Sequence, residues 1–285
     1  MTRRFIHAAF ATVLVGTIAA CSDSTSPASA NDSQVTADVA VAVADGTAED
    51  LYHIYSNEGV FGGAPMASVA ADASAAGLSS DPSARWGWRD DCTFNSGTGR
   101  FECPETIRNG FTLNRSFALF DAAGTPQSAY DASLTASINF LSALAGTVSR
   151  PEFIATVERN RDLTVSGLAG REIRRTWNGT GDAGIHARHE DEDGSREYDL
   201  TSSTVIANVV VALPRADNPW PLAGTITRSV HGVRFRSGTT TMSREFDRTA
   251  VVTFNGTSIV PLDVGNRQFC LNLATGRLVR DVNCR

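Results

Sequence analysis

Ala132-Ser-Leu-Thr-Ala-Ser-Ile-Asn-Phe140 sets an apolar residue at every even position and a polar one at every odd position. An extended chain points successive side chains to opposite sides, so this alternation is that of a strand with one buried and one wetted face. The same pattern recurs at Val205, Ala207, Val209, Val211 and Leu213, at Ala250, Val252 and Phe254, and at Phe269, Leu271 and Leu273. Burying one face and wetting the other is the habit of antiparallel sheets. Asn109-Gly110, Asn178-Gly179 and Asn255-Gly256 accept positive φ at both centres of a tight hairpin turn, and Asn218-Pro-Trp-Pro221 breaks the chain between two further strands. No strand-helix-strand rhythm is present. The sequence therefore predicts a mainly β fold, a single antiparallel β-meander over residues 81–285, closed into a barrel or curled into a half-barrel.

Ahead of the strands, residues 35–80 are rich in alanine and read as partly helical. Ala48 to Asn57 places Leu51, Ile54 and Tyr55 on one helical face, whereas Val35 to Ala44 fits both a period of two and an alanine-rich helix. Residues 22–34 are small and polar, with too little apolar surface to offset the entropy of ordering, and read as a tether. Arg3 and Arg4 precede an apolar run from Phe5 to Ala20 that is interrupted by His7, Thr12, Gly16 and Thr17, with small residues at its end. That is the layout of an export signal over residues 1–20, and it is too short and broken for a membrane span of about 20 apolar residues.

Ile18-Ala-Ala-Cys21 resembles the lipobox of bacterial lipoproteins. The resemblance, confined to residues 1–21, implies that Cys21 is acylated, becomes the first mature residue and anchors a tether of residues 21–34; Ser22 resembles the sorting residue of outer-membrane retention. The cysteine count agrees. Of five cysteines, assigning Cys21 to lipid leaves Cys92, Cys103, Cys270 and Cys284, an even set suited to an oxidising compartment. A hairpin turning at Gly97 and Thr98 sets Phe94 opposite Phe101 and Cys92 opposite Cys103, a natural cross-strand disulfide. For Cys270 and Cys284, a turn at Ala274-Thr-Gly276 pairs Leu273 with Leu278 and needs a bulge or a looser loop.

Without Arg3 and Arg4, 23 arginines face 31 acidic residues, a net charge of −8, which disfavours nucleic acid because binding it requires a basic surface. No lysine occurs, which removes phosphate-loop, Schiff-base and Ser-x-x-Lys chemistry. Gly179-Thr-Gly-Asp-Ala-Gly184 matches the dinucleotide fingerprint by letter, but Ile185 to Gly194 has no apolar helical face, so no cofactor is expected. His186-Ala-Arg-His-Glu-Asp-Glu-Asp-Gly194 offers His186 and His189 as nitrogen ligands and Asp191 and Asp193 as oxygen ligands for a divalent ion. Positions 186 and 189 point to opposite faces of a strand, however, and the zinc-protease and calcium-loop patterns both fail, so a solvated hairpin loop is the plainer reading.

His53 and His231 lack sequence neighbours that would make either a base and read as structural. Arg171, Arg174, Arg175, Arg228, Arg234 and Arg236 fall on or beside strands, where cross-strand ion pairing is the default. Trp86, Trp88 and Trp220 read as plugs of a barrel end ahead of the alternative, the lining of a ligand mouth, because aromatics contribute large buried area. The expected architecture is similar to that of half-barrel lipoproteins which carry or receive lipid and lipoprotein at bacterial envelopes, an analogy of fold alone. It implies a non-enzymatic binding or structural lipoprotein at the outer membrane, holding a lipid or an envelope protein on its sheet. The alternatives are a metal-dependent hydrolase using His186 to Asp193 and a scaffold whose sheet interior is filled by side chains.

Overall fold

In a computed structural model of the chain, the described residues are 36–37, 39–44, 46–48, 50–51 and 54, then 92–108, 110–150, 153–169, 172–191, 194–215, 218–237, 242–279 and 284. The expected signal (1–20) and tether (21–34), with His53, Tyr55, Trp86, Trp88 and Arg171, lie outside them. Among the described residues the chain forms β1 (Thr93–Asn95), β2 (Arg100–Glu102), β3 (Thr106–Arg108), β4 (Phe111–Phe120), β5 (Pro126–Gln127), β6 (Ser137–Arg150) and β7 (Phe153–Ser166). There follow β8 (Arg174–Asp191), β9 (Gly194–Ala212), β10 (Ala223–Ser237), β11 (Met242–Thr253), β12 (Ile259–Val264), β13 (Arg267–Asn272) and β14 (Arg277–Val279).

All fourteen strands belong to one antiparallel sheet, in the order β1-β2-β4-β6-β7-β8-β9-β10-β11-β12-β13-β14, with β3 and β5 pairing β4. Each main strand pairs its sequence neighbours, as a meander requires. No ladder among the described residues joins β1 to β14, so the sheet is an open half-barrel rather than a closed barrel.

One face of this sheet, the inner face, is covered by the N-terminal helical residues. Val39, Ala40, Val43, Ala44, Leu51 and Ile54 recur at the helical period and are buried in the same cluster as Ile138, Val165, Val209, Ile226, Val252 and Leu262 of the sheet. The valine-alanine stretch that fits two periods is thus helical, because Val39 and Val43, four apart, share the stripe that meets the sheet. An aromatic row crosses the opening strands: Phe101 stacks on Phe117 at 4.6 Å, and Phe140 stacks on Trp177 at 6.1 Å.

Three sequence expectations shift in register. Ile138 and Phe140 are buried, but Ala132 to Leu134 form a turn before β6 and Leu134 is 58% exposed. Asp131 makes this turn: its carboxylate accepts the Ser133 hydroxyl (2.6 Å) and the Ser133 amide (2.8 Å), and those bonds hold the carboxyl below its usual range. Asn178-Gly179 is not a hairpin turn but mid-strand in β8, whereas Gly110, at φ 82°, does lie between β3 and β4; Asn109 lies outside the described residues. The turn after β13 closes Leu271 on Leu278, two residues from the expected Leu273 pair, leaving Leu273 to Gly276 as the loop.

The fourth shift has a single cause. On β9, Val205 is 48% exposed while Ile206 is buried, and beyond them Val209 and Val211 are buried, so the valines from 205 to 211 do not share a face. Asn208, at φ 51°, is the extra residue of a bulge: Trp177 pairs Val209 but Gly179 pairs Ile206, and on the other side Ala223 pairs Val210 but Thr225 pairs Ala207. The Asn178 side chain accepts the Asn208 amide at 2.8 Å. Gly224, at φ 102°, lies against the bulge, where an added Cβ would sit 2.2 Å from the Asn208 carbonyl oxygen. Gly224→Ala is therefore expected to lower stability by about 1–3 kcal/mol, the range for backbone strain. Gly184→Ala, whose Cβ meets nothing within 4 Å, should stay within about 0.5 kcal/mol of the wild type. Urea midpoints at equal m-value compare the two.

Candidate functional site

The inner face holds a buried charge cluster. Register aligns Ser142, Arg161, Gly181, Thr204, Arg228 and Ala250 as one row across β6 to β11. Beside Gly181 and Thr204 of this row lies Asp50 of the helix, 1% exposed, whose two carboxylate oxygens take ion pairs from Arg161 and Arg228. Arg228 also donates to the Gly46 carbonyl at 2.8 Å. Arg228 thus pairs with the helix, where cross-strand pairing was expected. The space remaining at this cluster is about 10 Å³, room for roughly one water.

A wider, open groove of about 400 Å³ crosses β4, β6, β7 and β8 beside Asn114, Ser116, Leu141, Asp162, Thr180 and Asp182. Its lining mixes Leu141 and Ala143 with polar side chains, of which Ser116 and Asp162 belong to a network over the outer face: Arg100 donates to Ser116 Oγ (3.0 Å) and Asn139 Oδ1 (2.8 Å), and Asn139 donates to Asp162 (2.5 Å) and Thr164 (3.1 Å). Burial pushes the Arg100 guanidinium below its ordinary value, and the charge of Asp162 opposes that shift.

The outer face carries two histidines, each set between carboxylates of the next strand. His186 on β8 stands opposite Asp199 on β9, with Nδ1 2.5 Å from Asp199 Oδ1 and Nε2 3.3 Å from Glu197 Oε1. His231 on β10 stands opposite Asp247 on β11, with Nδ1 2.9 Å from Asp247 Oδ1 and Nε2 3.8 Å from Glu245 Oε1. In the second group one ligand atom from each residue lies within 4.8 Å of the others. All six side chains are at least two-fifths exposed.

The expected ligand set is distributed differently. His186 is on β8 and meets Glu197 and Asp199, not the acids that follow it in sequence. His189 pairs Phe153 and Arg196 in the ladder, at a position of opposite parity to His186, and Asp191 pairs Gly194 beside the turn. Asp193 lies outside the described residues, as does Cys21. Cys92 bonds Cys103 and Cys270 bonds Cys284, with Phe94 opposite Phe101 in the first hairpin. Trp220 packs against the core as a plug does. The Gly179 to Gly184 motif is strand throughout, and its Gly181 lines the same small space as Asp50.

The group around His231, read from sequence as a lone structural histidine, has a signal that local inspection misses. Ser195-Arg-Glu-Tyr-Asp-Leu-Thr201 and Ser243-Arg-Glu-Phe-Asp-Arg-Thr249 are near repeats, and each histidine follows a Gly-Thr pair by the same offset, Gly179-Thr180 for His186 and Gly224-Thr225 for His231. The hairpins β8-β9 and β10-β11 therefore present one motif twice, His opposite Asp with Glu two residues before the Asp. No protein-family model, curated protein or solved structure matches the chain.

Proposed function

We propose that this chain is a lipid-anchored protein of the bacterial envelope, held through Cys21 to the outer membrane, that acts without catalysis as a scaffold presenting its outer sheet face. The observation that carries the scaffold form is the occupancy of the inner face. Where a half-barrel would take an acyl chain, this one holds its own helix, with Ala40, Val43 and Ile54 fully buried and Asp50 clamped by two arginines. An apolar ligand site needs a concave cavity of about 300–1,000 Å³, and the enclosed space at the clamp is about 10 Å³. The larger groove lies open to solvent and carries the charged side chains Arg115, Arg161, Asp162 and Asp182 in its lining. The hydrolase alternative would have His186 share an ion with Asp191 or Asp193, whereas the carboxylates that His186 meets are Glu197 and Asp199 of β9.

The anchor is supported by the n-h-c layout of residues 1–20, by the sequence at Ile18 to Cys21, and by an odd cysteine count that becomes even once Cys21 is set aside. Growth with labelled palmitate should mark the wild type and leave Cys21→Ala unlabelled; label retained by Cys21→Ala overturns the anchor. Native mass spectrometry of the Cys21→Ala protein should give the mass of the polypeptide alone. A stoichiometric acyl-lipid adduct would instead make the protein a lipid carrier.

A further inference from the structure

We propose that the two outer-face hairpins are a pair of binding sites for divalent transition-metal ions, one held by His186 and Glu197 and the other by His231 and Glu245, with Asp199 and Asp247 as the residues that position each imidazole. This goes beyond the scaffold reading and does not rest on the anchor.

The distances divide the three side chains of each group into two roles. The aspartate sits at Nδ1 in both groups, at 2.9 Å in the His231 group, hydrogen-bonding range for a ring N–H that donates to a carboxylate, and closer still, at 2.5 Å, in the His186 group. Fixing the proton on Nδ1 leaves the lone pair on Nε2, and a carboxylate on the far nitrogen is the usual support of a metal-bound histidine. The glutamate sits at Nε2. The separations there, 3.3 Å and 3.8 Å, run from the edge of hydrogen-bonding range to beyond it. Two donors each about 2.1 Å from a tetrahedral ion lie about 3.4 Å apart, so both gaps are close to the bite of a single ion. One imidazole nitrogen with carboxylate oxygens suits zinc and its neighbours in the first transition row, whereas calcium prefers oxygen alone. Water would complete each coordination sphere.

The repeat supplies an independent reason. Along β9 and β11 the alternate positions Ser195, Glu197, Asp199 and Thr201 are matched by Ser243, Glu245, Asp247 and Thr249 without a change. Of the three positions between them, two differ: Tyr198 against Phe246 and Leu200 against Arg248. Packing constrains inward positions most, and exposed ones tolerate substitution at about 0.5 kcal/mol or less. Here the wetted positions are the identical ones, the reverse of what packing alone would produce. What the two hairpins share is a surface, and its chemistry is that of a ligand set.

Tag-free full-length protein in detergent, titrated with zinc chloride by calorimetry, tests this. The wild type should bind two zinc ions per chain more than His186→Ala/His231→Ala does, and each single variant should bind one fewer than the wild type. Asp247→Asn should keep its site but weaken it by about 10-fold or more, the usual loss for a supporting residue. A hundredfold excess of calcium should leave zinc binding unchanged. Far-UV circular dichroism of the variants should match the wild type, since the substituted side chains are exposed. A double variant that loses fewer than two equivalents overturns the paired sites, and displacement of zinc by calcium overturns the imidazole-centred ligand set.

Discussion

Asp50→Ala is expected to destabilise the protein by about 3–5 kcal/mol, the loss typical of removing one member of a buried ion group. For a domain of this size that is a fall of about 10 °C in melting temperature. The substitution deletes little volume, so lost packing is a minor part. Its effect comes from what stays behind: Arg161 and Arg228, whose side chains are 9% and 12% exposed, keep their charge with no carboxylate between them. Two guanidiniums facing each other across Gly181 and Thr204 must hydrate or turn outward, and either response lifts the helix from the inner face. Detachment of the helix uncovers Ile226, Val252 and Leu262, so the loss should appear with a larger heat signal for exposed apolar surface than a single surface ion pair could give.

Replacing the whole cluster tells a different story. Asp50→Leu with Arg161→Met and Arg228→Met removes every buried charge together, and apolar replacements of similar volume are often neutral or stabilising. The triple variant should therefore recover most of what Asp50→Ala loses. If Asp50→Ala lowers the melting temperature by less than about 3 °C, the helix is not fastened through this residue, and the case for a self-occupied inner face weakens with it.

The uneven legibility of this chain follows from the reach of each signal. Alternation at Ala250, Val252 and Phe254 was readable because β11 is regular there, and all three are buried. Alternation at Val205 to Val211 misled because Asn208 inserts a residue, and a bulge is a backbone state that leaves hydropathy unchanged. Cys92 and Cys103 close a local hairpin whose register a reader can count. Asp50 is separated from Arg161 and Arg228 by 111 and 178 residues, so nothing local marks it. Its burial follows from sheet curvature and helix placement together. The outer-face groups lie between these extremes. His186 invites attention to the acids directly after it, yet its partner Asp199 is 13 residues away across a hairpin. The repeated Ser-Arg-Glu-aromatic-Asp heptads were visible throughout, and comparing the chain with itself would have found them before any register was known.

Trp177→Ala should lose about 3–5 kcal/mol, as expected for truncating a fully buried indole. Trp177 is 1% exposed on the inner face of β8, pairs Val165 and Val209 on either side, and ends the aromatic row that runs through Phe101, Phe117 and Phe140. It also stands next to the Asn208 bulge, where a change of strand parity leaves Val209 as its direct neighbour. A cavity here removes contacts from β7 and β9 together and cannot be filled by one side chain turning. Trp177→Phe should lose under about 2 kcal/mol, because it keeps an aromatic ring facing Phe140 and deletes an indole N–H that has no hydrogen-bond partner among the described residues. Urea unfolding followed by far-UV circular dichroism measures both without depending on the tryptophan removed. Equal losses in the two variants would mean that the polar N–H, rather than the packed ring, matters at this position, and the aromatic row would no longer count as a source of the sheet's stability.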